Sequence, residues 1–236
     1  MIHTIATIFN NVLYYPLLNV LFLFYYYLPG KDFGVAVILL VVLINFLFLP
    51  LRAKAIKSQK EFSELQPKIK EIQEKYKNDK EKQAKELMNF YKERKINPLS
   101  AFVPLIIQIP IIFALYQVAL KALKPETMAN LYSFVPRPDQ INPMFLGLID
   151  LSQPNIILAV LAAISQFFQF KTMPQQKVKS NKPDITQMMM KQQAFIFPLL
   201  ILFMGLKLPS VLTLYWAVMN IFMIVQQYLM LKKQKT

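Results

Sequence analysis

Beyond residue 32, five long stretches of this chain carry no charged residue: 33–51, 96–120, 151–170, 192–206 and 208–231. A helix rises about 1.5 Å per residue, so crossing about 30 Å of hydrocarbon takes roughly 20 apolar residues. Four of the runs meet that length. The run 192–206 is short and must borrow from its flanks, tilt little or sit in thinned bilayer. A soluble core does not accommodate so many long runs without a polar face. Composition agrees: 55% of residues are hydrophobic and 17% charged, against roughly 25% charged in a soluble domain. The expected fold is all-α and polytopic, with five membrane-crossing helices.

The charges orient it. The chain has 27 Lys+Arg and 13 Asp+Glu, a net charge of +14. Segments 52–98, 171–191 and 232–236 hold 22 of the 27 bases and 9 of the 13 acids. Positive segments stay in the cytoplasm, so these lie inside, with the C-terminus, and residue 32 lies outside. Residues 1–30 contain no Lys or Arg, which argues against a secretory signal. His3, Thr7, Asn10, Asn11 and Tyr14 share one helical stripe and Pro16 interrupts the run. This segment is expected to be an amphipathic helix lying on the membrane rather than a sixth span.

The expected organisation is therefore an interfacial helix over 1–30, a first span over 31–51 and a cytoplasmic helical hairpin over 52–97. A second span follows at 98–121, an extracytoplasmic connection at 122–150 and a third span at 151–171. A cytoplasmic loop (172–190), a fourth span (191–207), a fifth span (208–231) and a basic tail (232–236) complete the chain. Within the hairpin, Leu65, Ile69, Ile72 and Tyr76 form an apolar seam. Asn78 and Glu81 suggest a capping box for its second helix, whose apolar side is Leu87, Phe90 and Tyr91; Asn97-Pro98 ends it. Arg52, Lys54, Lys57 and Lys60 are expected on a cytoplasmic basic surface that attracts anionic lipid or ribosomal RNA.

Polar residues inside the apolar runs are the candidate site. Asn45, Gln108, Gln166, Gln169, Asn220 and Gln227 fall in the cytoplasmic half or near the centre of the runs. Two explanations compete. One is a wet recess that opens inward and stops partway; the other is interhelical hydrogen-bond glue. The one-sided distribution favours the recess. Tyr116, Tyr215 and Trp216 are candidate aromatic contacts for a passing apolar segment on the lipid-facing flank. With no Cys and one His, thiolate and multi-His metal sites are excluded. No paired carboxylates, Gly-rich phosphate loop or nucleophile with a base in reach are evident, so neither enzyme chemistry nor a cofactor is expected.

Several long motifs resemble one family. Leu65-Gln66-Pro67 followed by KIKEIQEKYKNDKEKQAKELMNFYKERKINPL (68–99) resembles the cytoplasmic hairpin of the YidC-type membrane protein insertases, whose superfamily includes mitochondrial oxidase-assembly and chloroplast Albino insertases. PLIIQIPIIFALYQV (104–118), IDLSQPN (149–155) and LPSVLTLYWAVMNIFMIVQQYLM (208–230) resemble the second span, the start of the third and the last. YYPLLNVLFLFYYYLPGKDFG (14–34) is similar to the interfacial helix and first-span start of members lacking a large external domain. The resemblance implies a chaperone that inserts and folds membrane proteins without nucleotide hydrolysis, through a groove open to cytoplasm and lipid. It implies nascent membrane proteins and the ribosome as partners, action alone or beside the Sec translocon, and a monomer in the bacterial cytoplasmic membrane with its N-terminus outside. The rival readings are a small transporter or channel and a ribosome-tethering anchor. One departure stands out. The family places an Arg five residues before the Pro of its Pro-Leu end; here Pro50-Leu51 sets the frame and the matching residue is Asn45, with Arg52 seven residues further on. Val211 stands where the family tends to have Gly.

Overall fold

The structure is a computed structural model that describes residues 2–94, 103–122, 124–138, 140–172 and 185–233. Its helices are α1 (Ile2–Phe9), a π-helical turn (Asn10–Tyr14), α2 (Tyr15–Tyr27), α3 (Phe33–Leu47), α4 (Leu49–Lys75), α5 (Lys80–Glu93), α6 (Val103–Lys121), α7 (Ile156–Thr172), α8 (Ile185–Gly205) and α9 (Ser210–Lys233). α9 is central: it packs on α3, α6, α7 and α8, while α2 lies against α3. Leu18, Phe22, Phe33, Leu40, Val41 and Leu151 are almost fully buried in the shared core. Among the described residues, two helical stretches, Ala6–Tyr27 and Ser210–Met230, are long and apolar enough to cross a membrane; Phe33–Leu47, Gln108–Val118, Ile156–Thr172 and Ala194–Gly205 are apolar but shorter.

Residues 2–27 form one continuous helical stretch with a wide turn before Pro16. Proline has no N–H and its ring crowds the preceding turn, and the π-helical turn at Asn10–Tyr14 absorbs the misfit. One side of α2 enters the core through Leu18, Leu21, Phe22 and Tyr25. Gly30, at φ +78°, then reverses the chain. Asp32 caps α3, its Oδ1 accepting from the Val35 N–H at 2.8 Å.

The 122–151 connection is fastened to that end of the bundle. Met144–Phe145 pairs antiparallel with Ile149–Asp150. The turn between them puts Leu146 (φ +53°) and Gly147 (φ +69°) in the left-handed region, and the Leu148 N–H donates back to the Phe145 carbonyl at 3.0 Å. The hairpin sits directly on Gly34, where an added Cβ would lie 2.2 Å from the Phe145 ring. Asp32 Oδ2 accepts from the Leu146 N–H at 2.5 Å, the Tyr25 hydroxyl from the Asn142 N–H at 2.9 Å, and Asn19 Oδ1 from the Tyr132 N–H at 2.6 Å. Val211, buried at the start of α9, donates its N–H to the Leu151 carbonyl at 3.1 Å.

At the other end α3 runs almost directly into α4. The break is one residue, Phe48 (φ −89°, ψ 0°), with Pro50 in the first turn of α4. α4 and α5 fold back on each other, with Ile69 and Phe90 buried and Leu65, Ile72, Tyr76, Leu87 and Tyr91 half-buried. The cap of α5 is one residue later than expected: Asp79, not Asn78, accepts from the Lys82 N–H, at 2.9 Å. Both residue types cap well, and the length of the turn decides between them. α8 begins at Ile185, inside the expected 172–190 loop. Asn97-Pro98, most of that loop and the end of the basic tail lie outside the described residues, as does the side chain of Lys60.

Candidate functional site

The amides of the apolar runs assemble into two hydrogen-bonded groups. The first begins on α3. Asn45 is almost fully buried and its Nδ2 donates to the Val41 carbonyl one turn back, at 2.7 Å. That bond fixes the amide and turns its oxygen toward α4. Arg52 fills the position: Nη1 donates to Asn45 Oδ1, and Nη2 donates to Gln108 Oε1 on α6 at 3.2 Å. Gln108 Nε2 in turn donates to the Tyr215 hydroxyl on α9, which donates to Met219 Sδ at 3.1 Å. Four helices are thus joined through one chain of donors and acceptors.

The second group lies between α7 and α9. Asn220 Nδ2 donates to Ser165 Oγ at 3.1 Å, and Ser165 Oγ donates to the Ala162 carbonyl at 2.8 Å. Gln166 Nε2 donates to Gln169 Oε1 at 3.1 Å, and the Thr172 hydroxyl reaches Gln227 Oε1 at 3.1 Å. Asn220 Oδ1 is buried without a hydrogen-bond partner among the described residues. Such an acceptor costs about 1–3 kcal/mol unless something satisfies it.

Three expected positions change. Arg52 does not lie on the cytoplasmic surface; it is 8% exposed and turned into the bundle. It is also the one charged residue among the described buried polar residues, and the partners of its guanidinium there are neutral amides rather than a carboxylate. The reason is helical geometry. Residues 45 and 52 are two turns apart, and side chains on a helix lean toward its N-terminus, so an arginine on the first turn of α4 aims back up α3. Lys54 and Lys57 are exposed as expected, Lys57 beside Glu61 at 4.0 Å. Tyr215 and Trp216 do not face outward: both are buried, against α3 and the neighbouring helices. Tyr116 is half-buried. The outward aromatic surface is instead Phe46, Phe113, Phe168, Phe195 and Phe203. Their helical register was readable, but not which face the bundle would cover.

The amides therefore have protein partners, as interhelical glue would. The larger described cleft, about 220 Å³, is apolar, lined by Val12, Leu17, Leu40, Leu43 and Ile44 between the N-terminal helix and α3. What glue alone leaves unexplained is the buried guanidinium without a counter-charge and the unpaired Asn220 oxygen.

Residues 24–236 match the family described as 60Kd inner membrane protein. The chain is 36% identical over 204 residues to the membrane protein insertase YidC 1 of Listeria monocytogenes, covering 85% of this chain and 64% of that protein. It is 38% identical over 215 residues to a membrane protein insertase YidC of Syntrophus aciditrophicus, covering 90% of this chain and 35% of that protein. A membrane protein insertase YidC of Fusobacterium nucleatum is 33% identical over 202 residues, covering 86% of this chain and 87% of the relative. The chain thus spans less than two-thirds of the Listeria protein and about a third of the Syntrophus one. With a family match over residues 24–236 and a relative matched over nearly its whole length, this chain belongs to the 60Kd inner membrane protein family.

Proposed function

We propose that this chain is a membrane protein insertase and chaperone of the bacterial cytoplasmic membrane, working without nucleotide hydrolysis. The observation that carries the reading is the Asn45–Arg52–Gln108–Tyr215 chain: a buried cation and amides joining four helices of an otherwise apolar bundle. Polar groups in hydrocarbon are expensive and mark paths for polar cargo. The insertase names of the relatives point the same way.

In this reading α3, α6, α7, α8 and α9 cross the membrane, the α4–α5 hairpin lies in the cytoplasm with the C-terminus, and the 122–151 connection closes the far side. The N-terminal helix lies at the outer interface or dips into the bilayer; the burial of Leu18, Leu21 and Phe22 against the bundle supports a fixed seat there. A client brings a short polar tail into the recess from the cytoplasm. Water and the amides of Asn45, Gln108, Gln169 and Asn220 solvate it, and the unpaired Asn220 oxygen is ready to accept. The adjoining apolar segment moves along the outward Phe residues into lipid. Burial at roughly 25 cal/mol per Å² of apolar surface drives the step. The ribosome is held at the hairpin and basic surfaces, the Sec translocon is a further partner, and one copy suffices.

The test is complementation of an insertase-depleted cell, read by insertion of a short single-span client. Growth and insertion are expected. A chain that reaches the membrane in folded form and inserts nothing would overturn the proposal, and a conductance from the purified protein in liposomes would favour a channel.

A further inference from the structure

Among the described residues nothing covers the tip of the 144–150 hairpin. Leu146, Gly147 and Leu148 are consecutive exposed residues, and the two leucines are 62% and 81% exposed. Residues 140–149 carry no charge. Non-glycine residues are uncommon in the left-handed region, and here the residue at φ +53° is a leucine open to its surroundings. The base of the hairpin is the opposite of its tip. Phe145 lies on Gly34, and Asp32, the cap of α3, accepts from the Leu146 N–H at 2.5 Å. The tip is therefore fixed beside the first turn of α3, at the level where the uncharged run 33–51 begins. Tyr26 and Tyr27 are exposed at the end of α2, and Lys31 Nζ lies 5.2 Å from the centre of the Tyr26 ring. Lys31 adjoins Asp32 in the chain, which ties cation and rings to the same level.

We infer that this tip is a lipid anchor, with Leu146 and Leu148 inserted at the headgroup–acyl boundary of the outer leaflet. The inference rests on the reading in which α3 crosses the membrane with Phe33 at the outer side, and it adds a contact site outside the recess. Tyrosine rings, an ammonium and aliphatic side chains at one level are the groups that such a boundary takes up. A protein partner fits poorly: two leucines and a glycine offer a small part of the roughly 800 Å² that each side of a stable protein interface buries. Lipid sets no such minimum, because each apolar group that leaves water contributes on its own. Through Asp32 and Gly34 the anchor joins the membrane surface to the first turn of α3. The 122–151 connection is then held from the lipid side as well as by the bundle.

The chain has no cysteine, so single cysteines report one position at a time. Leu146→Cys and Leu148→Cys are labelled with an environment-sensitive fluorophore in the full chain, in phosphatidylcholine vesicles. Quenchers are iodide on both faces and lipid spin-labelled either near the headgroup or deep in the acyl chain. Leu39→Cys, exposed on α3, reports on the crossing itself. At 146 and 148 the expected result is blue-shifted emission, lost with the shallow spin label and little affected by iodide; at 39 it is loss with the deep label. Asparagine suits the turn at 146. In the Leu146→Asn background the label at 148 is expected to shift to the red and become open to iodide; no change there would mean that the dye inserts by itself, which overturns the anchor. Iodide quenching at both tip positions, with Leu39 still in the acyl region, would overturn it and leave the crossing intact. Protection from iodide without quenching by either lipid would assign the tip to a protein partner and overturn it as well. A label at Leu39 open to iodide would instead sink the membrane-crossing reading of α3.

Discussion

The two ends of the bundle are held together by different chemistry. At the end bearing the 122–151 connection, backbone N–H groups of Leu146, Asn142 and Tyr132 are gripped by Asp32, Tyr25 and Asn19, and Phe145 presses on Gly34 without room for a methyl group. At the end where α4 departs, contact runs through side-chain amides and one guanidinium. Main-chain bonds and close packing admit one arrangement. Amides on separate helices admit several, since each can exchange its partner for water or for another polar chain at small net change. One end is built to stay shut and the other to be rearranged.

The largest effect expected is at the closed end. Gly34→Val drives two methyl groups into the Phe145 ring and is expected to destabilise the fold by about 3 kcal/mol, read as a lowered Tm in detergent; an unchanged Tm would mean that the hairpin seat is loose. At the open end the hydroxyl of Tyr215 links Gln108 to α9. Tyr215→Phe is expected to lower stability by about 1–1.5 kcal/mol, read as a lowered Tm in detergent, because Gln108 loses the group that steadies it. Asp79→Ala removes the cap of α5 and costs about 1 kcal/mol, with faster amide hydrogen exchange confined to Lys80–Lys82; exchange spreading into α9 would show that the hairpin and bundle unfold as one. The smallest stability effect sharpens the contrast most. Asn220→Leu gives up one bond to Ser165 but also removes an unsatisfied buried oxygen, so in a water-free interior it changes stability by less than about 1 kcal/mol. A loss well above that means water satisfies the oxygen, and a cysteine at 220 would then react with a water-soluble thiol reagent from the cytoplasmic side.

Much of this was legible from residue types alone. The charge gaps overlap α3, α6, α7, α8 and α9, and Ile69 is buried while Leu65, Ile72 and Tyr76 are half-buried along α4 and at its end. What resisted reading were directions. Tyr215 and Trp216 lie on a helix apolar nearly all round, so periodicity cannot say which side meets other helices and which meets lipid. Arg52 follows a Pro-Leu pair that reads as the end of a span. Only the backward lean of helical side chains, applied across the break at Phe48, brings its guanidinium level with Asn45.

The turn at Leu146–Gly147 carries a conformational cost. Both residues have positive φ, the geometry of a tight turn that asparagine or aspartate followed by glycine adopts with least strain. A leucine held there, 62% exposed, costs about 1 kcal/mol or more in backbone conformation and returns little packing within the chain. Asparagine at this position would fold the hairpin as well or better. The tip therefore presents an oily side chain outward at a cost in backbone conformation that packing within the chain does not repay.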